Sequence, residues 1–353
     1  MNLIFSAQEI CERGRGLTFD DVLLVPRYSE ISSRQHPKLS TRLTKNYSSE
    51  IPIISANMDT VTEREMMLAM AQLGGLGILH RFMPAEDQIR QVKEVKDTQK
   101  QQNIRIPLAA SIGVKEEGKQ RADLLIEAGV QIITLDIAHG DSVMMLETLR
   151  YVKNNYPKID VIAGNVATYE ATKRLIDNGA DAVKVGIGPG SMCTTRIITG
   201  HGVPQITAIA LCSAAAKASN IPIIADGGIR NSGDVVKALA CGASCVMLGS
   251  MLSGTLETPG EVKAGKKAYR GMASKAAQTS WRGEVPQGMA AEGESTMVPC
   301  KGSVKDVLSE ICGGIRSGMT YMGVDTLTQM CEQSQFMEMS WAGVSESRPH
   351  GLN

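Results

Sequence analysis

The sequence contains few of the features that mark secreted, membrane or nucleic-acid-binding proteins. Its 37 basic and 37 acidic residues cancel, so no net charge attracts it to nucleic acid or to an anionic membrane. Aromatic residues make up 4% of the 353 residues, too few for a platform on which single strands could stack. No apolar run approaches the length of a membrane span, and the first residues lack the pattern of a signal peptide. These absences predict a cytoplasmic protein that binds neither nucleic acid nor membrane.

The eight cysteines show no spacing typical of a metal site. None stands in a CxxC pair, and no histidine pattern supplies further ligands. Cys241 and Cys245 are four residues apart, but Cys245 begins an apolar run and no other ligand lies nearby. We expect reduced thiols throughout, and a structural role for this pair.

Short apolar runs alternate with segments of helical periodicity along most of the chain. Strands that are buried on both faces and alternate with helices form a parallel sheet. Eight such units favour a closed (β/α)8 TIM barrel over an open doubly wound sheet, and no GxGxxG turn follows the first run. The apolar runs are 51–59, 75–81, 106–113, 132–138, 160–166, 181–188, 221–228 and 245–250. The clearest helical segments, which end at or beside a glycine, are 64–74, 120–129, 171–180 and 232–243.

Two segments do not fit this repeat. Residues 17–31, LTFDDVLLVPRYSEI, are expected to form a preceding strand or a cap over the barrel floor. Residues 263–301 follow the last run, are rich in Gly, Ala, Ser and Pro, and show little periodicity. A long segment of this kind is typically a lid or binding loop, here called the flap, and a disordered linker is the alternative. We expect residues 1–353 to form a single catalytic domain.

In a TIM barrel the functional residues follow the carboxyl ends of the strands. The residues found there are Asn57 and Asp59 after the first run, Asp136 and His139 after the fourth, Gly164 and Asn165 after the fifth, Cys193 after the sixth, Asp226 after the seventh, and Gly249 and Ser250 after the eighth. This registration favours a functional role for them. His80, which ends the second run, is as consistent with packing as with function.

The loop after the sixth run, KVGIGPGSMCTTRIITGHGVPQ (184–205), is the most specific feature of the chain. Gly186, Gly188 and Gly190 let the backbone curl so that its carbonyl or amide groups converge on an ion or a phosphate. Such a loop can present Cys193 as an accessible thiol, although a buried core cysteine is the alternative. After the seventh and eighth runs, ADGG and LGS place backbone amides where barrels commonly bind a phosphate.

Together with LTFDDVLLVP, SANMDTVTE, AGNVAT, YRGMAS and SWAGVSESRPH, these motifs closely resemble the family of IMP dehydrogenases and GMP reductases over nearly the whole chain. The resemblance implies an oxidoreductase of purine nucleotides that assembles as a homotetramer. It implies that Cys193, in the GPGSxCTT loop, attacks carbon 2 of the purine and forms a covalent thioimidate. The regulatory CBS modules of many dehydrogenases are missing, because residues 82–105 suffice for one helix and loops only.

The same resemblance implies the remaining site residues. Backbone carbonyls of Gly186, Gly188 and Cys193 would bind a potassium ion, and Asp226 would accept hydrogen bonds from the ribose hydroxyls. The rest of the nucleotide, with its 5′-phosphate, would lie against Ser191, Gly227, Gly228, Gly249, Ser250, Tyr269, Gly271 and Met272. The nicotinamide half of the NADPH or NAD cofactor would lie beside Asp136, Ala138, Gly186, Ile187 and Gly188, with His139 near. The methionines expected to pack around the base are Met58, Met192 and Met272.

Two activities share this scaffold, and the flap distinguishes them. The dehydrogenase oxidises IMP with NAD and hydrolyses the thioimidate to XMP, with a flap Arg-Tyr pair as the base that activates water. The reductase expels ammonia from GMP and then accepts a hydride from NADPH. Residues 270–302 contain no Arg-Tyr pair and are too short for the usual insertion, which favours the reductase, as does DIAHGDS (136–142). Glu292 and Thr195 would then protonate the departing amine.

Other features favour the dehydrogenase. LTFDDVLLVP and AGVSESRPH are more typical of it, and it holds Glu or Gln at the position of Glu292. Arg282 could act as a displaced base. A nucleotide sensor without turnover is a third interpretation, supported only by the atypical flap. The expected function is GMP reductase, with an IMP dehydrogenase lacking CBS modules as the alternative.

Overall fold

The structure, a computed structural model, describes residues 3–284, 288 and 290–349. Its strands are β1 (Ile4–Ser6), β2 (Val22–Leu24), β3 (Thr41–Arg42), β4 (Ser48–Ser49), β5 (Ile53–Ser55), β6 (Leu76–Leu79), β7 (Ala109–Ile112), β8 (Ile132–Asp136), β9 (Asp160–Val166), β10 (Ala182–Val185), β11 (Ile223–Asp226), β12 (Cys245–Leu248), β13 (Lys266–Arg270), β14 (Ser295–Pro299) and β15 (Gln335–Glu338). Its helices are α1 (Arg64–Gln72), α2 (Ala85–Gln101), α3 (Glu116–Ala128), α4 (Val143–Asn155), α5 (Tyr169–Asp177), α6 (Thr195–Thr199), α7 (Gln205–Lys217), α8 (Ser232–Ala240), α9 (Lys275–Arg282), α10 (Val304–Met322), α11 (Leu327–Gln333) and α12 (Trp341–Glu346).

Strands β5 to β12 form a closed parallel barrel in which each strand pairs with the next and β12 pairs with β5. Each of the eight apolar runs contains one of these strands, so the predicted (β/α)8 barrel is confirmed. Strands β6, β7, β10 and β12 are buried at every position, since inward side chains fill the barrel and outward ones face the helices. This burial on both faces explains why the runs are continuously apolar.

The helices predicted from periodicity are α1, α3, α5 and α8, and the structure contains all four. Gly129 ends α3 in the left-handed conformation, with a φ of 108°, as the terminal glycine indicates. α2 and short loops alone connect β6 to β7. None of the helices in the described part of the chain is long and apolar enough to cross a membrane.

The barrel floor is covered by the β3–β4 hairpin. The Lys45 amide donates to the Asp181 carbonyl just before β10, at 2.8 Å. The Thr44 hydroxyl donates to the Asp160 carboxylate at the start of β9. Residues 17–31 do contain a strand, β2, which joins β1 and β15 in a three-stranded antiparallel sheet. Their residue Asp20, however, pairs with Arg230 beyond β11, at the opposite end of the barrel.

The flap contains more regular structure than its sequence predicts. β13 and β14 pair in an antiparallel ribbon, with Tyr269 opposite Thr296, and α9 lies in the segment between them. The ribbon contradicts the alternative of a disordered linker for these strands. Flap residues 285–287 and 289 lie outside the described residues, as does the side chain of Arg282, the candidate displaced base.

Candidate active site

A cavity of about 420 Å³ opens where the barrel strands end and the flap begins. Its wall contains most of the residues for which the sequence predicts a nucleophilic, proton-transfer or binding role. These are Asp136, Ala138, Gly186, Ile187, Gly188, Ser191, Cys193, Thr195, Asp226, Gly227, Gly228, Gly249, Ser250, Tyr269, Gly271, Met272 and Glu292. Met58 and Met192 line it as well. Residues far apart in sequence thus meet in one site, as the barrel topology predicts.

The loop after β10 can curl because its glycines have no Cβ. Gly186 has a φ of 149°, and a Cβ there would lie 2.0 Å from the carbonyl oxygen of Asp226. Gly188 has a φ of 85°, a conformation that side chains disfavour. A turn then follows, in which the Cys193 amide donates to the Gly190 carbonyl at 3.1 Å. The loop leaves Cys193 half-buried and facing the cavity just before α6 begins.

Cys193 begins a hydrogen-bonded chain that ends on the flap. Its thiol donates to the hydroxyl of Thr195, with Sγ and Oγ1 3.2 Å apart. The Thr195 hydroxyl in turn donates to Oε2 of Glu292 at 2.8 Å. A thiol, a hydroxyl and a carboxylate in this order can move a proton between the sulfur and the carboxylate.

The main chain fixes Glu292 beside the cysteine loop. The Thr194 amide donates to the Glu292 carbonyl and the Glu292 amide donates to the Ala273 carbonyl, both at 3.1 Å. Two residues further, the Glu294 amide donates to the Met192 carbonyl at 2.8 Å. The flap is therefore docked on the Cys193 loop by backbone hydrogen bonds, which do not depend on side-chain identity.

The ends of β11 and β12 form a cradle of glycines. Gly227 and Gly228 have φ values of 95° and 81°, which side chains disfavour. A Cβ on Gly249 would lie 3.0 Å from Oη of Tyr269, so this backbone can approach a ligand only without a side chain. Tyr269 is buried, and that burial raises the pKa of its phenol. Its hydroxyl lies 3.1 Å from Oγ of Ser191. Amides and hydroxyls that converge here suit a phosphate.

A buried lysine joins two carboxylates beneath the cavity. Nζ of Lys184, on β10, lies 2.9 Å from Oδ2 of Asp226 and 3.1 Å from Oδ1 of Asp136. Burial alone would lower the pKa of Lys184, but the two carboxylates outweigh it and raise that pKa above its ordinary value. Burial would likewise raise the pKa of Asp136, but Lys184 and Arg81 hold it below its ordinary value. Both groups are therefore charged at neutral pH.

Asp226 also accepts a hydrogen bond from Nδ2 of Asn165, at 2.9 Å, and the same amide donates to the Gly186 carbonyl at 2.8 Å. One carboxylate oxygen is thus held by Lys184 and Asn165, which orients the group toward the cavity. The expectation that functional residues follow the carboxyl ends of the barrel strands identifies Asn165 but misses Lys184, which lies within β10. The signal available was a lysine inside an otherwise apolar barrel strand, where only a paired charge is stable.

Four further aromatic or polar side chains in the cavity wall were not predicted, namely Arg81, Phe82, Gln278 and Trp281. Phe82 and Trp281 contact each other edge to face, with ring centroids 5.4 Å apart. Gln278 lies one helical turn before Trp281 on α9 and lines the same wall. No motif marks them, because two belong to the flap helix that the sequence does not predict.

Several candidates lie outside the cavity wall. His80 is buried, with Nε2 3.1 Å from Oε1 of Glu63 and Nδ1 accepting the Phe82 amide, so it packs behind the site. His139 is exposed. Asp59 pairs with Arg270 of β13.

The cysteine pair is structural, as expected. Cys241 and Cys245 are fully buried, and burial raises both thiol pKa values well above the ordinary range. Among the described residues, no cluster of histidine, cysteine and acidic side chains is arranged to bind a metal ion.

Comparisons with known proteins identify the family of the chain. The model of the IMP dehydrogenase / GMP reductase domain matches residues 16–350. Inosine-5′-monophosphate dehydrogenase from Cryptosporidium parvum is 46% identical, over 96% of this chain and 96% of that protein. The enzyme of the same name from Nitrosopumilus maritimus is 36% identical, over 96% and 98%.

A solved structure is similar over its whole length. It is a cysteine-to-alanine variant of GMP reductase from Trypanosoma brucei in complex with guanosine 5′-monophosphate, with a TM-score of 0.90 and 31% identity. The match covers 98% of this chain and 100% of that one. The chain therefore belongs to the IMP dehydrogenase / GMP reductase family and is an oxidoreductase of purine nucleotides.

Proposed function

We propose that this oxidoreductase is a GMP reductase, which converts GMP to IMP and ammonia with NADPH. The observation that carries the proposal is the hydrogen-bonded chain from Cys193 through Thr195 to Glu292. A reductase must supply a proton to the departing amine, and this chain reaches from the attacking sulfur to a carboxylate on the flap.

The hydrogen-bonded chain of Cys193, Thr195 and Glu292 accounts for both proton transfers of the deamination. As the sulfur bonds to carbon 2 of GMP, the thiol proton passes through the Thr195 hydroxyl to Glu292. The bond from carbon 2 to the amino nitrogen then breaks, and the same relay returns the proton to the leaving group as ammonia. Atoms balance, because GMP and the thiol give the thioimidate and ammonia.

The barrel supplies the binding groups for the nucleotide. Asp226, oriented by Lys184 and Asn165, accepts hydrogen bonds from the ribose hydroxyls. The glycine cradle with Ser191, Ser250 and Tyr269 binds the 5′-phosphate. The glycines support this assignment, since a Cβ on Gly227 would meet Pro189 and one on Gly249 would meet Tyr269, each at 3.0 Å, so only glycine lets these loop backbones converge.

Asp136, Ala138 and residues 186–188 would hold the nicotinamide half of NADPH. When bound, NADPH supplies the hydride that carbon 2 accepts as the bond to Cys193 breaks. The carbonyl groups of Gly186, Gly188 and Cys193 would hold a potassium ion. A curled run of backbone carbonyls is the donor set that this ion prefers, so the loop suits it.

IMP dehydrogenase is the second candidate, with NAD as its cofactor. The names of the relatives from Cryptosporidium parvum and Nitrosopumilus maritimus favour it. The flap sequence favours the reductase, because residues 270–302 contain no Arg-Tyr pair to activate the water that hydrolysis requires.

One assay separates the candidates. With GMP and NADPH a reductase lowers the absorbance at the NADPH band, and with IMP and NAD a dehydrogenase raises it at the same wavelength. A protein that only binds nucleotide changes neither. GMP-dependent NADPH oxidation with release of ammonia supports the proposal, and XMP formation from IMP overturns it.

We also propose that the protein acts in the cytoplasm as a homotetramer of single-domain chains. The zero net charge does not oppose association. A monomer at micromolar concentration in light scattering would contradict the tetramer.

A further inference from the structure

Two aromatic residues close one side of the cavity. Phe82 follows β6, and Trp281 lies near the end of α9 on the flap. Their rings meet at 66° with centroids 5.4 Å apart, the edge-to-face geometry that aromatic pairs favour. Both line the cavity that contains Cys193 and Glu292. We call Phe82 and Trp281 the aromatic wall.

The barrel holds Phe82 in place from behind. The guanidinium of Arg81 lies over its ring, 4.5 Å from the centroid. The Phe82 amide donates to Nδ1 of the buried His80 at 3.1 Å. His80 is anchored in turn by Glu63. Phe82 is therefore a fixed half of the wall.

Trp281 is held by the element that holds Glu292. Ser274 caps α9 by accepting a hydrogen bond from the Ala277 amide, and both residues are buried. Ser274 also forms a bridge with Gly293, next to Glu292. In the same docked flap, Glu292 contacts the Thr195 hydroxyl and Trp281 contacts Phe82. One arrangement of the flap thus supplies both the carboxylate and the second half of the wall.

We propose that the aromatic wall excludes water from the thioimidate and so determines that the intermediate is reduced and not hydrolysed. The inference rests on the proposed reductase function. A thioimidate on Cys193 has two exits. Hydride addition to carbon 2 breaks the carbon–sulfur bond and gives IMP. Water addition to carbon 2 breaks the same bond and gives XMP and the free thiol, with one hydrogen of the water kept on XMP and the other transferred to the sulfur. The phenyl ring of Phe82 offers a water molecule no hydrogen-bond partner, and the indole of Trp281 offers only its single N–H. Water beside the wall therefore loses most of its hydrogen bonds, which disfavours the second exit.

The test compares ammonia release with NADPH oxidation in Trp281→Ala and Phe82→Ala. In the parent enzyme the ratio is one, and without NADPH ammonia release stops at one equivalent per site. In each variant we expect XMP to form from GMP, with at least a tenfold rise in ammonia release without NADPH. Trp281→Phe keeps an apolar ring and should restore most of the parent ratio. A loss of packing alone would slow both exits and leave the ratio unchanged.

Trp341→Ala is the matched control, because the other tryptophan lies exposed on α12 outside the cavity. A second readout does not need turnover, namely alkylation of Cys193 by iodoacetamide, measured by mass spectrometry. We expect alkylation to be several-fold faster in Trp281→Ala than in the parent.

The outcomes separate this inference from the proposed function. Suppose that the parent reduces GMP, while the variants keep a ratio of ammonia release to NADPH oxidation of one and an unchanged alkylation rate. That result overturns the proposal of the aromatic wall but leaves the proposed function standing. A parent that makes XMP from IMP overturns both, since its site then admits water. A parent without turnover overturns the function, and the alkylation rates then decide whether the wall limits access.

Discussion

The barrel ends and the flap build the same cavity by different means. On the barrel side, the buried Lys184 binds both Asp226 and Asp136, which lie at the ends of neighbouring or nearby strands. On the flap side, Glu292 and Trp281 are positioned by a few backbone hydrogen bonds and one aromatic contact. The barrel groups are preorganised by the sheet register, whereas the flap groups depend on docking.

This difference divides the work of the proposed enzyme. The barrel presents the groups that bind nucleotide and cofactor, which both activities of the family need. The flap presents the Glu292 carboxylate and Trp281, which completes the aromatic wall against Phe82 of the barrel, and these groups decide whether the thioimidate is reduced or hydrolysed. Substitutions on the barrel side should therefore change binding or stability, and substitutions on the flap should change kcat or product.

The largest effect should come from the nucleophile, where the two regions meet. Cys193→Ala removes the sulfur that both halves of the reaction need, so we expect turnover of GMP to fall by at least about 10⁴-fold. GMP binding should persist, because the proposed ribose contact and most of the proposed phosphate contacts lie on other loops. Steady-state kinetics measures the turnover of GMP, and calorimetric titration measures its binding. Cys300→Ala, at an exposed flap cysteine, is the control. Retained turnover would remove the thioimidate mechanism.

The next effect tests the flap alone. Glu292→Gln keeps the shape of the side chain but cannot accept and return a proton, so kcat for GMP deamination should fall by about 10² to 10⁴-fold with KM nearly unchanged. Hydride exchange between IMP and NADP should survive better, since it needs no proton for ammonia. Glu294→Gln, two residues further along the flap and exposed, should behave as the parent. An equal loss in both Gln variants would contradict the relay.

The two regions also differ in how far the sequence predicts them. The barrel strands follow from continuous apolar runs, and the expectation that functional residues follow their carboxyl ends then brings together Asp136, Cys193 and Asp226. In the flap, β13 and β14 are exposed at alternate or most positions and α9 is only eight residues long, so neither leaves a strong pattern. Their position depends on docking against the Cys193 loop, a long-range contact that no local periodicity encodes.

The roles of Cys193 and Glu292 came from a family resemblance, and not from the pattern of residues. Local chemistry identified an accessible thiol in a glycine-rich loop and no more. Lys184 was missed because an isolated charge in an apolar run gives no hint of its partners. Those partners come from β8 and β11, which only the closed barrel brings to either side of β10.

A third prediction tests the ion pairs of Lys184 on the barrel side. Lys184→Met leaves Asp226 and Asp136 without their shared cation, which should lower the free energy of unfolding by about 3–5 kcal/mol at pH 7. Lys173→Met, which removes an exposed lysine paired with Asp177, should cost less than about 0.5 kcal/mol. Urea unfolding measures both. A cost no larger than that of the control would show that the buried pair is not what holds these strand ends.

The Lys184→Met variant should also change how the free energy of unfolding depends on pH. In the parent the pKa of Asp136 is lowered, so its contribution to stability is present above its ordinary pKa of 3.8 and is lost as pH falls through the lowered value. Without Lys184, only Arg81 and Asn57 offset the effect of burial, so the pKa of Asp136 rises and protonation relieves a charge that is less well compensated. The stability deficit of Lys184→Met should therefore shrink as pH falls from 7 to about 5. A constant deficit would contradict this account.

A fourth prediction concerns the contact that ties the flap to the barrel. The carboxylate of Asp59, after β5, accepts hydrogen bonds from the guanidinium of Arg270, at the end of β13. Asp59→Asn removes the charge from this pair, and we expect about a tenfold loss in kcat/KM, because hydrogen bonds to charged groups contribute about 1.5–3 kcal/mol. The free energy of unfolding should change less, since the flap is docked on the surface of the barrel. Equal losses in activity and stability would mean that the flap folds with the barrel as one unit.

The smallest effect should come from the same substitution at an exposed pair. Asp20, before β2, binds Arg230 beyond β11, and this hydrogen bond lowers the pKa of Asp20. Both side chains are about half exposed, so solvent screens the pair and Asp20→Asn should cost less than about 1 kcal/mol at pH 7. Because the pKa is lowered on folding, that stability is present above the ordinary value of 3.8 and disappears as pH falls through the lowered one. Activity should stay at the parent level, in contrast to Asp59→Asn, and urea unfolding between pH 7 and pH 3 with steady-state kinetics measures the difference. If Asp20→Asn reduced kcat/KM as strongly as Asp59→Asn, control of turnover would extend to the N-terminal segment and the division between barrel and flap would fail.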